Sequence, residues 1–131
     1  MQPGERAKRV TIHIDGSAAQ HAGRTCSRIL ERLRAEGAVS VAAFRAVAAI
    51  DAAGHLHELR LAEVVPELPM LIVWVDTPER VEQTLPHIAG LVAEGTITVE
   101  DAQVVLHTTR TVPDLPPAVT VDEVMTREVV T

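Results

Sequence analysis

The sequence predicts an α+β domain, an antiparallel sheet with two helices on one face, and three observations carry that prediction. Val10, Ile12 and Ile14 alternate with Thr11, His13 and Asp15, the period of a half-buried strand. Ala18, Ala22, Cys26, Ile29, Leu30 and Leu33 recur at steps of mostly three and four, the stripe of an amphipathic helix. Met70-Leu71-Ile72-Val73-Trp74-Val75 is an unbroken β-rich apolar run, and Asp76-Thr77-Pro78 behind it reads as the start of a second helix.

Taken in order, residues 1–8 are expected to be a flexible leader. The first strand follows, and Asp15 or Ser17 can cap the first helix. Gly37 is placed to end that helix in a left-handed conformation. Val39, Val41 and Ala43 open a second strand that runs to about Val47. From Ala48 to Glu67 no single period holds, which predicts a loop and then a short extended or helical stretch around Leu59 to Val65. Met70 to Val75 is expected to be a central strand covered on both faces. Asp76 or Thr77 caps the second helix, and Pro78 falls at its first position, where a missing N–H costs nothing. Its buried stripe is Val81, Leu85, Ile88 and Val92, Pro86 should kink it, and Gly95 is expected to end it. A last strand is predicted from Ala102 to about Thr108. The order β-α-β-β-α-β is the ferredoxin-like sandwich. Its open sheet face carries enough Val, Ile and Trp to predict contact with another subunit.

Bulk properties narrow the function. A chain of 131 residues suits one domain with a modest core. Phe44 and Trp74 are the whole aromatic inventory, too few to stack bases, and the net charge of -6 disfavours a phosphate backbone; nucleic acid is therefore not expected as a partner. Cys26 is the single cysteine, so no disulfide can form within the chain, as in a reducing cytoplasm. The polar, basic start lacks the apolar segment of a signal peptide, and the run at 70–75 is too short to cross a bilayer. The expected location is cytoplasmic, without membrane insertion.

Several side-chain groups could carry chemistry. His55 and His57 would point the same way in an extended segment and could begin a metal site with Glu58 or Glu63. A polar loop with one structural histidine is the favoured reading, and no metal is expected. Arg24, Arg28 and Arg32, spaced by four, could hold an anion or form a solvated face relieved by Glu31 and Glu36. Gly95-Thr96 could offer backbone N–H groups to an anion. Cys26 lies on the apolar stripe and reads as a buried small hydrophobe. There is no Ser-His-Asp order, no phosphate-binding loop of the GxxxxGK type and no GxGxxG, so no enzyme is expected.

Residues 9–110 resemble the PII-like protein family of unknown function (domain of unknown function 190), relatives of the PII nitrogen-signalling proteins. The resemblance is carried by Leu68-Pro69, the apolar strand into Val75-Asp76-Thr77, Leu85-Pro86, and Glu94-Gly95-Thr96-Ile97-Thr98-Val99-Glu100-Asp101. His57, Arg60 and Leu61 keep the family's spacing before Leu68-Pro69, and Arg45 stands where the family usually has an arginine after strand two. The chain departs from it at Arg24-Thr25-Cys26, where the family has Pro-Leu-Tyr, and at Ala49-Ile50-Asp51, where it has Gly-Phe-Gly. The Gly-Asp-Gly-Lys phosphate loop of PII proteins proper is reduced here to Gly95-Thr96.

The resemblance implies a homotrimer with clefts between subunits that take a small anionic effector such as AMP, ADP or ATP. It also implies that the loop from Val47 to about Val65 reports to a protein or transporter partner. It assigns Arg45, His57, Arg60, Gly95, Thr96 and Arg110 to ligand binding; intersubunit salt bridges would account for the three arginines as well. Residues 111–118 form a proline-rich linker, and 119–131 resemble the start of a truncated CBS domain. The expected function is thus a sensory domain. The alternatives are a ligand-free trimerisation module for attached CBS domains and, last, a metal-binding or small enzymatic domain.

Overall fold

In the computed structural model, residues 1–16, 19–58 and 68–108 are described, the first three residues of the first helix by backbone alone. The elements are β1 (Arg6–Ile14), α1 (Ala19–Ala35), β2 (Val41–Arg45), β3 (Ala48–Ile50), β4 (Leu56–Glu58), β5 (Met70–Asp76), α2 (Pro78–Ala89) and β6 (Gly95–Gln103). Four strands form one antiparallel sheet in the order β2-β5-β1-β6, and β3 pairs with β4 as a separate hairpin. With both helices on one face, this is the ferredoxin-like βαββαβ arrangement with a hairpin inserted after β2.

The alternation read from β1 sorts the two faces. Val10, Ile12 and Ile14 are buried toward the helices, with Ile72 and Trp74 beside them on β5. Ala22, Cys26, Ile29 and Leu33 of α1 and Val81 and Ile88 of α2 close the same core. Ala18 and Ser17 lie outside the described residues. Gly37, at φ +77, ends α1 as expected: its N–H reaches the Arg34 carbonyl and the Ala38 N–H reaches Leu33. That pair of bonds is the Schellman motif, and a side chain at Gly37 would strain it.

A buried carboxylate ties the far end together. Asp76, at 1% exposure, accepts from Trp74 Nε1 (3.1 Å), from the backbone N–H of Val39 (3.3 Å) and from that of Thr77 (2.8 Å). Arg80 Nε stands 3.4 Å away. Thr77 caps α2 through its side chain, which accepts from the Arg80 N–H, and Pro78 follows at the first position.

Several expectations are corrected. α2 ends at Gly90, whose N–H reaches the carbonyl of Pro86 in the last turn, and not at Gly95. Gly95 instead opens β6 opposite Ile14, and a Cβ there would strike the His13 carbonyl oxygen. Close backbone approach, not a helix end, explains that glycine. The last strand is therefore 95–103 rather than 102–108, because Thr96-Ile97-Thr98-Val99 supplies the β-branched run. Thr84 takes a buried place on α2 while Leu85 is half-buried and Val92 falls beyond the helix. The second strand is shorter than expected, 41–45. Within the chain β5 is covered on one face only: Ile72, Trp74 and Asp76 are buried, whereas Leu71, Val73 and Val75 are half-buried on the open side. The supposed loop after β2 contains the β3–β4 hairpin, and the stretch 59–65 lies outside the described residues. Among the described residues no helix is long and apolar enough to cross a membrane.

Candidate functional site

The hairpin is short, with three residues in each strand, and strands of that length are marginal without further support. Asp51 supplies it. One carboxylate oxygen, Oδ1, accepts from the N–H groups of Ala53 and His55, both at 2.9 Å. The other, Oδ2, meets His57 Nε2 at 2.9 Å and His55 Nδ1 at 3.5 Å. The Asp51 N–H donates back to the His55 carbonyl, and Gly54 at φ +85 completes the turn. The hydrogen bond from His57, then that from the His55 backbone, holds the Asp51 carboxyl down at about 2.

This clasp gives the hairpin two unlike faces. Ala49 and His57, directly paired, are half-buried and turn inward. Ile50 and Leu56, also paired, stand 72% and 62% exposed. The inward side walls a cavity of about 430 Å³ against one end of the main sheet. His13, on the open face of β1, Asp15, buried Gly16, Pro69 and Glu94 complete the lining. The Asp15 N–H donates to the Glu94 carbonyl, which joins the end of β1 to the start of β6, and His13 Nε2 lies 3.9 Å from Asp15 Oδ1. Gly16 is needed because a Cβ there would press on the Leu68 backbone at 2.5 Å. A cleft of this size with a few converging polar groups is the usual form of a small-molecule site.

Of the residues singled out in the sequence, His57 lines this cavity. Gly95 follows Glu94 at its edge, and Thr96 sits on the open face beside His13. Arg45 shares one row across the sheet with Met70, Ile14 and Gly95, so it stands at the opposite edge from Gly95, about 14 Å away by strand spacing. That row faces the helices, and Arg45 partly offsets the rise that burial imposes on the Cys26 thiol. Arg45 is not among the residues that line the cavity. Arg60 and Arg110 lie outside the described residues.

The remaining candidates resolve plainly. His55 and His57 converge on Asp51, and among the described residues no three ligating side chains stand at metal-binding spacing. Arg24, Arg28 and Arg32 are exposed, with Arg32 paired to Glu36 at 3.4 Å, which makes them a solvated face. Cys26 is buried, 3% exposed. Sequence reasoning missed His13, Asp15, Gly16, Asp51 and Glu94 as cavity residues. Asp51 with Gly54 three residues later is the one local signal that could have found the turn.

The fold matches solved structures of PII-like proteins. CPII from Thiomonas intermedia K12, a nitrogen regulatory PII-like protein bound to ADP and bicarbonate, superposes with a TM-score of 0.57 at 16% identity, covering 77% of this chain and 90% of that one. The same protein bound to ADP, AMP and bicarbonate gives 0.53 at 17% identity, covering 76% and 94%. A putative PII-like signaling protein from Thermus thermophilus gives 0.55 at 15% identity, covering 77% and 91%. The domain therefore has the PII-like form of the ferredoxin-like fold. Residues 7–104 match the family model DUF190, described as "Uncharacterized ACR, COG1993", and the chain belongs to that family. A search of curated proteins returned no match.

Proposed function

We propose that this chain is a PII-like sensory domain that binds a small anionic effector, an adenine nucleotide, in the cleft beneath the β3–β4 hairpin. The observation that carries the reading is the cavity itself, which lies where the hairpin meets the sheet end and is lined by His57 and Asp51. A hairpin held by one side-chain clasp over a ligand-sized cavity is a natural two-state element. A ligand that favours one hairpin state over the other shifts its population, and that shift is the signal. The likeness to CPII, described as bound to ADP and AMP, supports this choice of effector. The domain signals rather than catalyses, acts in the cytoplasm, and assembles as a homotrimer whose copies cover the open sheet face. Phe44 on that face is 54% exposed in the single chain. Arg45, Arg60 and Arg110 are the cations assigned to the anionic end of the effector, from the same or a neighbouring copy.

The exposed apolar side of the sheet also favours a second reading, a ligand-free assembly module for following CBS domains. A thermal-shift panel with AMP, ADP, ATP, cyclic nucleotides and bicarbonate separates the two. A ligand at a hundred times its dissociation constant adds about 2.7 kcal/mol. The sensor reading expects a raised melting temperature for a nucleotide, lost in Arg45→Ala while the oligomer survives. A flat panel, with Arg45→Ala altering only oligomer stability, supports the assembly module.

A further inference from the structure

We infer that the hairpin clasp is linked to protons in the neutral range: His57, charged against Asp51, holds the β3–β4 hairpin more tightly in mild acid than in mild base. The link needs no effector and so goes beyond the sensory reading. Its basis is one carboxylate shared by two imidazoles. Asp51 Oδ2 meets His57 Nε2 at 2.9 Å and His55 Nδ1 at 3.5 Å, while Oδ1 accepts from the N–H groups of Ala53 and His55. In a hairpin whose strands are three residues long, these rings put a titratable contact into the clasp that supports the turn.

Imidazole is the side chain whose charge changes between about pH 5 and 8. Asp51, held at about 2, is ionised throughout that window. A neutral His57 with its proton on Nε2 donates one hydrogen bond to the carboxylate, and a charged His57 makes the same bond with opposite full charges behind it. Opening the hairpin separates the pair. Protonation therefore favours the closed state, and the gain is lost as pH rises through neutrality. His57 is the more effective ring, being the nearer and 31% exposed against 74% for His55. Once one ring is charged, the other meets like charge beside the same oxygen, so the clasp gains about one proton rather than two. Among the described residues, the charged groups on the elements packed against the hairpin are His13 and Asp15 at the end of β1 and Glu94 before β6, all lining the cavity that His57 faces. The two carboxylates add to the attraction for a charged His57. His13, 3.9 Å from Asp15, offsets part of it when charged. Glu58 follows His57 and points to the outer face of the hairpin.

Hydrogen exchange of the full chain without nucleotide, at about pH 5.5 and about pH 8, tests this. Observed rates are divided by intrinsic ones, so that only opening remains. Protection at the Ala53 and His55 amides should be about threefold greater at the lower pH, the range of an exposed ion pair. His57→Gln keeps a donor but cannot charge. It should remove most of that dependence and leave protection at the higher pH near that of the parent chain. Asp51→Asn, which keeps one acceptor oxygen without the charge, should flatten the dependence as well. Equal protection at the two pH values in the parent chain, or a dependence that persists undiminished in either variant, overturns the inference. Neither result bears on nucleotide binding, which the thermal-shift panel reads separately.

Discussion

Asp76 and Asp51 are both carboxylates that gather several donors, and the molecule uses them in opposite ways. Asp76 is buried at the head of α2, where it joins β5, the α1–β2 connection and the first turn of α2. Asp51 is exposed on a hairpin tip and joins only residues within seven positions of itself. Long-range donors make the first a part of the global fold. Local donors make the second a clasp that can open while the sheet stays intact. The proposed sensory role needs both, a rigid frame and an element whose opening is cheap.

Breaking the first carboxylate should have the largest effect. Asp76→Ala leaves the Trp74 indole N–H and two backbone N–H groups without their partner in the interior, a loss of about 3–5 kcal/mol by urea unfolding. A loss under 1 kcal/mol would contradict its place as a global tie. Next comes Gly95→Ala, which drives a methyl into the His13 carbonyl and should cost about 1–3 kcal/mol by the same measurement. Were Gly95 merely a loop residue, the change would be neutral. Asp51→Ala should be smallest globally, yet amide exchange at Ala53 and His55, which lose their acceptor, should quicken markedly. A global loss equal to that of Asp76→Ala would erase the distinction.

The pH dependence sharpens the same contrast. The Asp51 carboxyl is held at about 2 in the folded hairpin, below its ordinary value near 4. Its contribution is therefore complete above pH about 4 and lost as pH falls through about 2. Because the clasp is local, hairpin amide signals should shift across that window before the core strands unfold.

How much of this was legible in the sequence follows the same division. The alternation at Val10, Ile12 and Ile14, the stripe ending at Leu33 and Gly37, and Thr77-Pro78 each report a local rule that the core enforces. Gly95 misled because a glycine after a helical stripe and a glycine beneath a neighbouring strand look alike without the third dimension. The hairpin was invisible because its strands are three residues long and its stability comes from a side chain rather than a pattern. For the site, His57 was found through family spacing. His13, Asp15 and Glu94 were not, because only the pairing of β1 with β6 brings them together.

The most direct test of the central claim is a titration of the isotopically labelled chain with AMP, followed by amide NMR. Saturable shifts confined to Gly16, Ala49 to Ala53 and His57 would place the effector under the hairpin, as the account predicts. Shifts centred on Leu71, Val73 and Phe44 of the open sheet face, or none at saturating nucleotide, would contradict it.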